Sequence, residues 1–240
     1  MTALRLNALG QPIGPALDGW TAPPRPSVTA LDGTWTRLER LDPDRHARAL
    51  FDANALDTDG RNWTYLPVGP FAAFDDYDRW LRSVAPGADP YFFAILDRAT
   101  AAPVGVASYL RIDPNAGSIE VGHINYSPRA QRTSMASEAM FLMMRHAFAL
   151  GYRRYEWKCD ALNAPSRVAA ERLGFTYEGL FRQATIYKGR SRDTAWYSIL
   201  DREFPALERA FLAWLAPDNR DADGRQVRRL ADLIAAARQS

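Results

Sequence analysis

Strand-like alternation and helical spacing of apolar residues succeed one another along the chain, and their order outlines a fold. Residues 34–41 alternate Trp35, Arg37 and Glu39 against Thr36, Leu38 and Arg40, a strand pattern, and Asp42 opens a helix carrying His46, Leu50 and Phe51. A short strand is predicted over 63–66 before Pro67. Phe74, Tyr77, Leu81 and Val84 then recur at helical intervals until Pro86 ends the run. Three apolar-rich strands follow over 91–96, 104–112 and 118–126. The turn-forming stretches 98–103 and 113–117 separate them, which suits an antiparallel meander.

After Pro128 the period lengthens: Met135, Ala139, Leu142, Met143, His146 and Leu150 fall at helical spacing, and Gly151 supplies the stop. Residues 152–159 alternate again, with Tyr155, Trp157 and Cys159 on one face and Arg154, Glu156 and Lys158 on the other. Asn163 caps a short helix that runs to Leu173 and stops at Gly174. Two strands fit 176–186 and 194–200 around the turn Lys188-Gly189-Arg190, and 204–215 and 226–237 read as closing helices. This divides the chain into a proline- and glycine-rich irregular arm at 1–33, one domain over 34–216, and a polar linker with a last helix over 217–240. No internal repeat is present.

Composition narrows the class. Of 240 residues, 47% are hydrophobic and 24% charged, as in ordinary globular proteins that bury a core. The formal net charge is only +2, with acidic and basic residues interleaved, so there is no electrostatic case for nucleic acid. The Arg225, Arg228 and Arg229 group reads as a solvated helix face. The one cysteine, Cys159, cannot close an intramolecular disulfide, and no run of roughly 18 apolar residues is available to span a bilayer. A cytoplasmic protein with no membrane contact is the expectation. Three scattered histidines and one cysteine offer no metal-ligand spacing, and no Gly-x-Ser-x-Gly elbow, P-loop or Gly-x-Gly-x-x-Gly run appears.

Two motifs carry chemistry. A strand ending Asn125-Tyr126-Ser127-Pro128 leads into Gln131-Arg132-Thr133-Ser134-Met135-Ala136 and an amphipathic helix. This resembles the acyl-CoA pyrophosphate loop of the GNAT superfamily, Gln/Arg-x-x-Gly-x-Gly/Ala, in which N–H groups at a helix N-terminus face the phosphates. Asn163-Ala-Pro-Ser166 followed by Leu173-Gly174-Phe175 is similar to a second family motif, Asn-x-x-Ser/Ala before Leu-Gly-Phe. Within the superfamily the second motif is closest to the branch that acetylates the N-termini of ribosomal proteins. The resemblance covers roughly residues 34–201. It implies an α+β fold, a mixed, mostly antiparallel sheet of about seven strands flanked by helices and splayed between its fourth and fifth strands. It further implies acetyl-CoA as co-substrate, with backbone contacts at Ile124, Asn125 and Tyr126, phosphate contacts from Gln131 through Arg132, Thr133, Ser134 and Met135 to Ala136, and further contacts at Asn163, Ser166 and Arg167.

Two departures stand out. Ser134 replaces the usual glycine, and Ala170 stands where many members carry a tyrosine that protonates the departing thiolate. Ser166 is left as the group the motif places nearest the sulfur, although it also reads as a helix residue satisfying local backbone. Glu120 occupies the strand position where related enzymes place a base for the amine; its bland alternative is a solvent-facing carboxylate. His123 is a possible proton relay or a structural histidine. Cys159 reads as a small buried hydrophobe, since a lone strand cysteine is seldom a nucleophile. The aromatics from Trp63 to Trp80 either shape an acceptor pocket or fill a core. The expected activity is direct acetyl transfer to a primary amine, a peptide N-terminus or a small molecule. The alternative is a non-catalytic acyl-CoA-binding module. The arm and tail bear on substrate access or oligomeric state, a homodimer included.

Overall fold

The computed structural model describes residues 5–239. In chain order these form β1 (Arg5–Leu6), β2 (Pro12–Ile13), β3 (Ala30–Asp32), β4 (Thr36–Arg40), α1 (Pro43–Asn54), α2 (Phe74–Val84), β5 (Tyr91–Asp97), β6 (Pro103–Asp113) and β7 (Ser118–Tyr126). There follow α3 (Ser134–Ala149), β8 (Arg154–Asp160), α4 (Ala164–Arg172), β9 (Thr176–Tyr187), β10 (Arg190–Leu200), α5 (Phe204–Leu215) and α6 (Leu230–Ala237). β1 and β2 pair with each other, and the other eight strands make one sheet in the order β3-β4-β5-β6-β7-β8-β10-β9. Every pairing is antiparallel except β7 with β8, which are parallel and therefore need the α3 crossover between them.

The middle of the sheet is buried on both faces, which is why β5 reads as an unbroken apolar run. Tyr91, Phe93 and Ile95 enter a core beneath α3 and α5; Phe92, Ala94 and Leu96 enter a second core beneath α1 and α2. α1 is capped by the Asp42 side chain, which accepts from the Asp44 N–H. Glu138 joins the layers. It is buried on α3 and accepts from the backbone N–H groups of Thr34, Trp35 and Thr36 at 2.8, 2.6 and 2.8 Å.

Three sequence expectations are corrected. Residues 63–66 hold no strand. A 3-10 turn spans Arg61–Trp63, and Trp63 packs edge-on against Phe71, Tyr77 and Trp80. Aromatic-rich segments suit a strand or a core equally; here the backbone carbonyls of Trp63 and Thr64 accept from Lys188 and Arg190 instead of a strand. β3 is the second correction: part of the supposedly irregular arm pairs with β4, giving an eight-stranded sheet. Third, the last helix starts at Leu230, not 226. Asn219 holds the preceding segment by accepting from the Arg228 N–H at 2.8 Å and donating to the Arg228 carbonyl at 3.2 Å.

Candidate active site

β7 and β8 pair only from Ser118 to Val121, opposite Arg154 to Trp157. Beyond that point β8 keeps to β10 (Lys158 with Trp196, Cys159 with Ala195), while β7 keeps to β6 (Asn125 with Val106, Tyr126 with Gly105). The strands therefore part, and among the described residues the β8-side edge of β7 from Gly122 onward has no strand beside it. A register shift in β7 falls between Gly122 and Asn125, where His123 adopts φ +48°. Such a bulge leaves ladder groups unpaired and re-aims the chain. Next to it, both amide atoms of Asn125, 3% exposed, and the hydroxyl of Ser127 are buried without a hydrogen-bond partner among the described residues.

The open edge leads directly into the loop before α3. Thr133 caps the helix, its hydroxyl oxygen accepting from the Ala136 N–H at 3.3 Å. The remaining first-turn N–H groups have no carbonyl of their own helix to reach. Ala130 and Ala136 are buried small residues here, and Arg132 lies at φ +60°. Gln131 turns back, donating to the Tyr126 carbonyl at 3.0 Å and to Asn62 Oδ1 at 2.8 Å; Asn62 Nδ2 also donates to the Tyr126 carbonyl, at 3.2 Å. The Tyr126 hydroxyl donates to the Ala136 carbonyl at 2.9 Å, and Ile124 and Met135 pack on the α3 side of the sheet. Ser134 is bound from the tail: Arg220 Nη2 donates to its hydroxyl at 2.7 Å while the guanidinium lies 4.1 Å from the centre of the Trp35 ring.

Glu120 is not the solvent-facing carboxylate of the bland reading. It is 2% exposed, accepts from Arg111 Nη1 at 2.7 and 2.8 Å, and lies 3.0 Å from Lys158 Nζ. Burial pushes its carboxyl above the usual range, and Lys158 and Arg111 pull it back down. Lys158 also bonds Glu156 at 2.7 Å and sits 3.9 Å from the centre of the Trp196 ring. His123 Nδ1 is 2.9 Å from the Ser108 hydroxyl, and its ring lies against Phe92. Burial, helped by Arg111, lowers its pKa to about 4, so it is a neutral imidazole at pH 7.

Across the gap, Asn163 caps α4 by accepting from the Ser166 N–H at 3.2 Å. The Ser166 hydroxyl accepts from the Trp157 indole N–H at 3.0 Å. Burial raises the Cys159 thiol, which keeps it protonated and a poor nucleophile. Arg167 is turned to the Tyr197 hydroxyl at 3.1 Å, and Ala170 is wholly buried in the core. The structure thus brings the two motifs to opposite lips of one opening. Sequence reasoning missed Asn62, Arg111, Lys158 and Arg220. Only Lys158 had a signal: alternation put it on the same face as Glu156, which pairs with Glu120 across the parallel ladder.

Among the described residues there is no cluster of three or more His, Cys, Asp or Glu suited to a metal, and no helix long and apolar enough to cross a membrane. The profile of the acetyltransferase (GNAT) domain family matches residues 36–176. A GCN5-related N-acetyltransferase from Brucella melitensis is 44% identical, with TM-score 0.89 over 91% of this chain and 100% of that one. The uncharacterized N-acetyltransferase p20 of Bacillus licheniformis is 31% identical over 58% of this chain and 80% of its own length. At the level of fold alone, the chain is also similar to a Salmonella typhimurium acetyltransferase described as modifying the N-terminal serine of ribosomal protein L7/L12. That protein is 21% identical, with TM-score 0.60 over 70% of this chain and 96% of that one.

Proposed function

The chain belongs to the GNAT acetyltransferase family, and from that premise we propose that it transfers acetyl from acetyl-CoA to a primary amine, directly and within a ternary complex. The observation that carries this is the β7 edge left without a strand from Gly122 onward, running into the capped N-terminus of α3. Its residues fit the co-substrate. An extended chain carrying amides can pair along that edge, an anion suits the α3 N-terminus, and the buried, unpartnered polar atoms of Asn125 and Ser127 lie on the same stretch.

Acetyl-CoA, when bound, supplies an activated acetyl thioester. Residues Ile124, Asn125 and Tyr126 hold the pantetheine through their backbone. The loop Gln131–Ala136 takes the phosphates through its N–H groups, with Gln131 bracing the loop and Asn163, Ser166 and Arg167 closing the other lip. Backbone N–H groups of β7 polarise the acyl carbonyl. Glu120 receives the amine's proton, through water because its oxygens are engaged by Arg111 and Lys158, and the raised carboxyl is suited to holding it. Ser166 keeps its proton and donates a hydrogen bond to the departing thiolate, at the place left open by Ala170.

The acceptor is a peptide N-terminus or a small-molecule amine, in a reducing cytoplasmic setting. The activity described for the Salmonella protein supports the peptide. A second reading, an acyl-CoA-binding module without turnover, is favoured by the buried alanine at position 170. Release of CoA thiol that depends on added amine separates the two; acetyl-CoA binding with no release from any amine would favour the second.

A further inference from the structure

Away from the β7–β8 opening, the α1–α2 layer contains a cavity of about 70 Å³ lined by Phe51, Asn54, Asp57, Trp63, Phe71 and Tyr77 among others. Three of its rings stand nearly at right angles: Trp63 to Phe71 at 86°, Trp63 to Tyr77 at 80° and Phe71 to Tyr77 at 74°. The three meet edge to face, and Phe71 also stacks on Trp80 at 25°. Asn54 is 8% exposed. Its Nδ2 donates to the Tyr77 hydroxyl at 3.3 Å, but its Oδ1 is buried with no partner among the described residues. Ala55 and Pro70 at the rim are exposed, so the cavity communicates with solvent.

Three features of this lining select the same chemistry. An unpartnered buried carbonyl oxygen calls for a donor, since leaving it unpaired forfeits the hydrogen bonds it made to water. Aromatic faces attract a cation. Asp57 adds a carboxylate, and no lysine or arginine lines the space. An anion would face the Asp57 carboxylate and Asn54 Oδ1 with no cationic side chain in the lining to offset them, and a neutral alkyl group would leave Asn54 Oδ1 unpaired. The volume suits an ammonium with its first carbons, about two waters' worth of space.

We propose that this cavity binds a primary alkylammonium group. The turn Arg61–Trp63 ties it to the opening: Trp63 is a wall of the cavity, and the preceding residue, Asn62, bonds the Tyr126 carbonyl and Gln131. Resting on the acetyl-transfer reading, the bound group is the non-reacting ammonium of an acceptor that carries two amino groups.

The test begins without acetyl-CoA. The protein is titrated with n-propylammonium chloride, with n-propanol as the neutral control, following the Trp63 indole resonance at constant ionic strength. A saturable shift is expected with the ammonium and at least about tenfold weaker binding of the alcohol. Asn54→Leu abolishes the shift, and Asn54→Asp tightens binding about tenfold. Asp57→Asn, at the half-buried rim, weakens it without a buried change and covers the case in which Asn54→Leu fails to fold. No saturable shift, or equal binding of the alcohol, overturns the site. With acetyl-CoA present, putrescine is expected to show a lower KM than n-butylamine. Equal KM values with ammonium binding retained overturn the link to the acceptor, whereas binding with no transfer from either amine overturns the acetyl-transfer reading and leaves the cavity site standing.

Discussion

The indole N–H of Trp157 on β8 donates to the hydroxyl oxygen of Ser166 on α4 at 3.0 Å. With one lone pair so occupied, the hydroxyl is held in place and its own proton must point away from Trp157. Ser166→Ala is expected to lower kcat about a hundredfold while acetyl-CoA affinity changes little. Trp157→Phe, which keeps Ser166 but removes the bond that orients it, should give a smaller fall. Steady-state rates with binding measured in parallel decide this; a full rate with Ser166→Ala would leave Ser166 with only its helix-terminus role.

Glu120 is bound by two cations, and one of them, Lys158, retains Glu156 when Glu120 is neutralised. Glu120→Gln should therefore leave the fold and acetyl-CoA binding intact while turnover drops about a hundredfold. In the parent protein the rate falls as pH drops through the raised pKa of this carboxyl, because the base becomes protonated. That acidic limb should vanish in Glu120→Gln. An unchanged pH–rate profile would remove Glu120 from the chemistry.

Most of the fold was legible in the sequence because its strands and helices have clean periods and chemically explicit ends. Asp42 and Asn163 do cap their helices, and Tyr155, Trp157 and Cys159 do share the buried face of β8. What escaped was tertiary. Nothing local in Ala30–Asp32 says that it will find β4, and the aromatics near Trp63 have the same propensity whether they join a sheet or wall a cavity. The opening could be anticipated only through the family resemblance of the two motifs, since a helix between two strands does not by itself fix a parallel pair: β4 and β5 flank α1 and α2 and are antiparallel. The partners of Glu120 and the reach of Arg220 to Ser134 could not be, because they join residues through a register and a tail path that no short window contains.

His123 is held neutral by burial, its pKa falling from 6.5 to about 4. The unfolded chain therefore binds more protons than the folded one between those values, and stability falls as pH drops through that window and is retained above it. At pH 5 the loss is about 1–2 kcal/mol from this residue. His123→Asn, whose side chain tolerates the left-handed backbone there, should flatten that part of the dependence. Urea midpoints at pH 7 and pH 5 for both proteins provide the check; an identical drop in the variant would assign it to other groups.

Glu138 satisfies three backbone N–H groups at once, and a Cβ on Gly33 would come within 2.6 Å of its carboxyl carbon. Glu138→Ala strands those donors and should cost about 3 kcal/mol, with Gly33→Ala destabilising in the same direction. Chemical denaturation measures both. A loss under about 0.5 kcal/mol for Glu138→Ala, typical of surface changes, would mean that this junction between α3 and the edge of the sheet is dispensable.

The most direct test of acetyl transfer measures CoA-thiol release from acetyl-CoA against a panel of peptide N-termini and small amines, with acetyl-CoA binding followed on the same protein. The account predicts saturable binding and release that requires an amine, the preferred amine naming the acceptor class. Failure to bind acetyl-CoA at all would contradict it.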